Sequence, residues 1–253
     1  MKQTFISCLQ RISNILMING GFLDNPGLYT GEMGLVLFFF RYARFTQNGL
    51  YSDYGFDMIK RVQIRINDET PIDYKQGISG IGSAFEYLVQ TGFIKADTDV
   101  ILDEFDKRIF SINHLSNFSI EDLLGIGYYA LWRMSGFSVK KDAILKETLP
   151  QVVNFMEKIP NSALKEVAFF KTIVSAENRL DSQPWFHPVC KNSAYRLDSA
   201  MFIPLLDKFS KTDSSNKNTF SLGIHNGLAG LGLSLLTELD GDDSWTFLLC
   251  VNP

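Results

Sequence analysis

Apolar residues recur three and four positions apart along much of the chain, a spacing that predicts helices. At the start, Phe5, Ile6, Leu9, Ile12, Ile15 and Leu16 would share one face of an amphipathic helix over Met1 to Gly20. Val100, Ile101, Leu102, Phe105 and Ile109 do the same between Thr98 and Phe110, and Ile144, Leu145, Leu149, Val152, Val153 and Phe155 between Val139 and Lys158, ahead of Pro160. Other stretches, such as Gly34 to Phe40, are apolar on nearly every side. A helix of that kind is buried, with amphipathic helices outside it. Alternation of period two between hairpin turns is nowhere sustained, so the chain is expected to be all-α.

The glycines repeat. Gly27-Leu-Tyr-Thr-Gly31-Glu-Met-Gly34 and Gly223-Ile-His-Asn-Gly227-Leu-Ala-Gly230 both carry glycines at offsets 0, 4 and 7, followed by an apolar run. Gly77-Ile-Ser-Gly80-Ile-Gly82 matches the second half of the motif, and Asp122-Leu-Leu-Gly125-Ile-Gly127 matches it more loosely. The anchors Gly34, Gly80, Gly125 and Gly230 imply a unit of about 45 residues, the length of a helix–turn–helix hairpin. A degenerate fifth unit is expected near Glu166 to Ser175. An array of this kind stabilises itself by stacking neighbours, so residues 1–253 are read as a single domain.

Composition narrows the function classes. The 253 residues are 45% hydrophobic and 21% charged, with a formal net charge of -4, so no bulk electrostatic footprint for nucleic acid or anionic lipid is present. The longest greasy run is far below the ~20 residues a membrane-spanning helix needs, and no signal peptide is seen at the start. A cytoplasmic protein is expected. Three cysteines (Cys8, Cys190, Cys250) do not make a disulfide framework. Polar Lys211–Thr219 and the Pro-framed Asp181–Cys190 read as surface loops, the latter holding Trp185, Phe186, His187 and Cys190.

A glycine-rich turn recurring every 45 to 60 residues before an apolar inner helix resembles the lanthionine synthetase C-like family. Gly223–Leu236 matches best, and Gly27–Tyr42 and Gly77–Leu88 look like earlier repeats of the same family. The resemblance implies an α/α toroid of helical hairpins. Seven hairpins of about 45 residues would need roughly 315, so five or six are expected here, as a toroid-like array or an incomplete (α/α) barrel. It also implies a role in maturing ribosomally made peptides, with a precursor peptide as substrate and a modification enzyme as a possible partner. Active members add a Cys thiol to a dehydrated residue, using a zinc ion held by two Cys and one His, and metal binding turns the thiol into the nucleophilic thiolate.

The motifs that hold that zinc are altered. No Trp-Cys-x-Gly occurs, and the nearest counterpart of Cys-His-Gly is His225-Asn226-Gly227. This copy is followed by about one helix before Pro253, so it is expected to correspond to the family's last repeat, which carries no metal. An accessory or peptide-binding module without zinc is the first reading. An active thioether-forming cyclase with a changed ligand set, His187, Cys190 and His225, is the alternative. His225 is otherwise expected to cap the inner helix that follows it, and His114 to be solvated at a helix end.

A third reading is a carbohydrate-active α/α barrel with paired acids drawn from Glu32, Glu86 and Glu121. Against it, Glu32 and Asp122 fit equally well as first-turn acids favoured by the helix dipole. Phe38, Phe39, Phe40, Tyr42 and Phe45 are expected in the core.

Overall fold

The computed structural model describes residues 2–110, 118–136, 138–159, 164–175 and 221–249. His114, His187, Cys190, Cys250 and the two loops expected at 181–190 and 211–219 lie outside the described residues. In chain order the helices are α1 (Lys2–Asn19), α2 (Glu32–Thr46), α3 (Gly49–Arg65), α4 (Ile78–Gln90), α5 (Thr98–Ile101), α6 (Asp103–Phe110), α7 (Ile120–Ser135), α8 (Leu149–Met156), α9 (Leu164–Ser175) and α10 (Leu228–Asp240). Among the described residues there is no strand, only an isolated bridge between Ser221 and Gly227. No helix among them is long and apolar enough to cross a membrane.

The described residues fall into two compact units, one of 2–65 with 221–246 and the other drawn from 66–175 with 247–249. In the first unit, α2 is buried without interruption from Glu32 to Ala43 and α10 from Leu228 to Leu236, as expected of inner helices. Their neighbours are one-sided: α1 buries Cys8, Leu9, Ile12, Ser13 and Leu16, and α3 buries Gly55, Met58, Ile59 and Val62. Phe38, Phe39, Phe40 and Tyr42 are core residues, whereas Phe45 is half-buried. A guanidinium at the far end of α2 ties it to α10. Arg41 donates to both carboxylate oxygens of Asp240 at 3.0 Å and to the Asp242 carbonyl at 2.6 Å.

In the second unit α4 and α7 are the enclosed helices, buried over Ile78–Leu88 and over most of Leu123–Met134. The helix expected over Thr98 to Phe110 divides at Leu102 into α5 and α6. The helix expected over Val139 to Lys158 contains a π-helical turn, Ile144–Thr148, just before α8. Pro150 accounts for it: proline has no N–H to donate and its ring presses on the carbonyl four residues back, which a wider turn relieves. The degenerate fifth unit supplies α9, which buries the single stripe Val167, Phe170 and Ile173.

A common register joins the repeats. Tyr129 of α7 lies on Gly82 of α4, Phe170 of α9 on Gly127 of α7, and Phe38 of α2 on Gly232 of α10. Each glycine stands two residues after the anchor of its repeat. Each ring stands four residues after Gly125, Glu166 or Gly34, so Glu166 occupies the anchor position of the fifth unit. Glycine is needed there for room, since a β-carbon at Gly82 would be 2.5 Å from the Tyr129 ring. Each ring buried this way contributes roughly 1.5–3 kcal/mol.

Candidate functional site

The glycine turns ahead of the inner helices are where the family resemblance would place chemistry. In the first unit the turn before α2 is built on Asn25. Its Oδ1 accepts from the Gly27 N–H at 2.8 Å, its amide nitrogen donates to Thr30 Oγ1 at 3.1 Å, and its carbonyl accepts from the Glu32 N–H at 2.9 Å. The turn before α10 lies against it: the His225 N–H donates to the Tyr29 carbonyl at 2.9 Å, and the two rings stack with centroids 6.3 Å apart. Asn226 takes the left-handed conformation, φ 51°, and its amide nitrogen is 2.8 Å from His225 Nε2.

His225 does not cap α10. The N-cap is Gly227, in extended conformation and without a side-chain bond to the helix. The expected cap fails because the turn places His225 two residues upstream, where its ring meets Tyr29 instead.

Of the acids near the turns, Glu32 and Glu121 are paired with cations and Asp122 with a serine. Glu32, in the first turn of α2, is fully buried with Arg61 Nε 3.3 Å from Oε1 and Arg65 Nε 3.4 Å from Oε2. Burial pushes its carboxyl pKa up, opposed by Arg65 and Arg61 and reinforced by Asp24. Glu121 is exposed and pairs with Lys75 at 3.2 Å. Asp122 makes the capping box of α7: Ser119 Oγ accepts from the Asp122 N–H at 3.1 Å while Asp122 Oδ2 accepts from the Ser119 N–H at 3.0 Å.

Glu86 belongs to a buried ion network that sequence reasoning missed. Arg133 of α7 is fully buried and donates to Glu86 of α4, to Asp99 of α5 and to both carboxylate oxygens of Asp106 of α6, the last at 2.9 and 3.1 Å. Lys140 adds a second cation, 3.0 Å from Asp106 and 3.1 Å from Asp103. Burial, helped by the Asp106 carboxylate, pushes the Tyr129 hydroxyl up, so it stays protonated and donates to Asp106 at 2.6 Å. The network joins four helices through one side chain. The signal in the sequence is an arginine between Trp132 and Met134 in an otherwise apolar helix, because a buried charge requires partners. Arg41, after three phenylalanines in α2, carries the same signal.

Among the described residues, no three of His, Cys, Asp and Glu are grouped so as to hold a metal ion. His225 Nε2 lies 2.8 Å from the Asn226 amide nitrogen, and the other two candidate ligands, His187 and Cys190, are outside the described residues.

Enclosed helices led by glycine turns, each keyed to its neighbour by a ring over a glycine, define an array of helical hairpins. The family model described as lanthionine synthetase C-like protein matches residues 23–182, more than half of the chain, and the chain belongs to this family. The matched residues take in the glycine turns at 27–34, 77–82 and 125–127 and end before the turn at 223–230. The hairpins within each unit agree with the family's α/α toroid. No curated protein and no solved structure matches the chain.

Proposed function

We propose that the protein takes part in the maturation of ribosomally made peptides as a peptide-binding or accessory member of its family, acting without the zinc triad. The observation that supports this reading is in the sequence: no Trp-Cys-x-Gly occurs, and the nearest counterpart of Cys-His-Gly is His225-Asn226-Gly227. The His225 ring meets the Asn226 amide and stacks on Tyr29. The ligand is a precursor peptide, and a modification enzyme that dehydrates it is the natural partner. The protein works in the cytoplasm, where such peptides are made.

Metal analysis of the purified protein by mass spectrometry, together with titration against a dehydrated Cys-containing peptide, tests this. Peptide binding with no stoichiometric zinc and no thioether product is expected. Stoichiometric zinc that is lost on His187→Ala or Cys190→Ala, with ring formation abolished by a chelator, would overturn it and assign a cyclase with a changed ligand set.

A further inference from the structure

Polar side chains gather on one seam of the second unit. Tyr74, from the turn ahead of α4, packs its ring against Tyr128 of α7 with centroids 5.9 Å apart, and its hydroxyl is bonded to the side chains of Ser83 and Trp132. Ser83 Oγ in turn donates to the Ser79 carbonyl at 2.8 Å. Tyr128 stands outside this chain of bonds. It is fully buried, its ring centroid lies 5.4 Å from that of Phe170 on α9, and its hydroxyl has no hydrogen-bond partner among the described residues. A hydroxyl taken out of water without a partner lowers stability, and native cores hold few such groups.

The surroundings limit what can meet it. The carboxylate whose charge acts on the Tyr128 hydroxyl is Glu166, one turn before Phe170 on α9. Glu166 is half-buried and does not bond the hydroxyl directly. It occupies the anchor position that Gly34, Gly80, Gly125 and Gly230 hold in the other units, so only this unit brings an acid to that level of the seam. A tyrosine hydroxyl is protonated at neutral pH, and burial makes it harder still to ionise. The group beside it must therefore accept a hydrogen bond. A cation has no lone pair to offer. Water accepts from Tyr128 and still has protons for Glu166, and the half-buried carboxylate gives it a way in from solvent. Buried water is held at polar sites of this kind, where two or more protein groups converge.

We propose that an ordered water molecule is bound between the Tyr128 hydroxyl and the Glu166 carboxylate, accepting from the first and donating to the second. The departure from glycine at the fifth anchor then has a consequence: the seam of α7 and α9 is hydrated, whereas the glycine anchors are closed by backbone, as at Gly125 against the Tyr74 N–H and at Gly230 against the Ile224 carbonyl.

A crystal structure at a resolution that shows ordered water tests this directly. Water within hydrogen-bond distance of both Tyr128 Oη and the Glu166 carboxylate is expected. A direct bond from Tyr128 to a protein atom, or no water at the hydroxyl, would overturn the proposal. Urea unfolding supplies an independent sign, because Tyr128→Phe removes the hydroxyl and keeps the ring on Phe170. If the hydroxyl holds water, the folding equilibrium constant falls about three- to tenfold, the usual worth of one hydrogen bond. If the hydroxyl is bare, the constant rises instead and the idea is lost. Glu166→Ala should also lower the constant, and its loss should not add to that of Tyr128→Phe in the double variant, since both release the same water. Strictly additive losses would count against a shared molecule.

Discussion

The ring of Phe170 occupies the space that a side chain at Gly127 would need, since a β-carbon there would stand 2.6 Å from Cζ. Gly127→Ala is therefore expected to destabilise the protein by about 1–3 kcal/mol, the usual range for overpacking a core. Phe170→Leu in the same chain is expected to restore part of the loss. Urea unfolding of the two single variants and the double variant measures the coupling, and strictly additive changes would show that the contact does not hold the helices in register.

Arg133 is the only cation directly bonded to both Glu86 and Asp106 among the described residues, and all three side chains are buried. Arg133→Met should cost about 3–5 kcal/mol, because it leaves the buried Glu86 carboxylate without a cation and Asp106 with Lys140 and Tyr129 alone. Arg133→Lys is expected to recover little, since a single ammonium cannot reach acceptors on α4, α5 and α6 together. Adding Glu86→Gln to Arg133→Met should return part of the stability, read as a shift in the urea midpoint.

Asp99 gives the network a pH dependence. Burial alone would raise its carboxyl pKa, but hydrogen bonds from the Val139 N–H, Ser138 and Arg133 outweigh burial and hold it below the ordinary value. A depressed folded-state pKa contributes stability above the unfolded value, near pH 4 for aspartate, and that contribution is lost as pH falls through the folded-state value. Urea midpoints taken from about pH 6 down to about pH 2 should fall less steeply in Asp99→Asn than in the native protein. Parallel curves would remove Asp99 from the account.

Arg108 clamps the turn ahead of the second repeat by donating to the carbonyls of Asn67 at 2.9 Å, Asp68 at 3.1 Å and Thr70 at 2.6 Å. Arg108→Ala is expected to cost about 1–3 kcal/mol in total, at the usual net worth of such bonds. The loss should be local. Hydrogen exchange at the Thr70 amide, which donates to the Asn67 carbonyl at 3.1 Å, should quicken while α7 keeps its protection.

The helices and the repeat were legible because they are periodic. The stripe Leu9, Ile12 and Leu16 marks α1, and Gly34, Gly80, Gly125 and Gly230 mark the entries to enclosed helices. The ion network was not, because Glu86, Asp99 and Asp106 come from three elements with no period linking them to Arg133. The irregular stretch before α8 had a sign in Pro150, yet spacing alone favoured a continuous helix. His225 was misplaced for a different reason. Capping depends on which residue of a turn takes the extended conformation, and here Asn226 absorbs the left-handed bend so that Gly227 makes the cap.

Phe38 and Arg41 both complete their contacts on or beside α10, and Arg41 is 201 residues away from Asp242 in the chain. During synthesis α1 and α2 therefore leave the ribosome long before the segment that covers them exists. Their apolar face must wait, sheltered by transient contacts or by a chaperone, while the helices of the other unit can pair with neighbours already made. Bringing such distant segments together carries the entropy of closing a very long loop, which slows this step relative to local pairing. The first helices made are thus among the last to be finished, and substitutions at Phe38 or Gly232 should lower the yield of folded protein more than their effect on equilibrium stability alone would suggest.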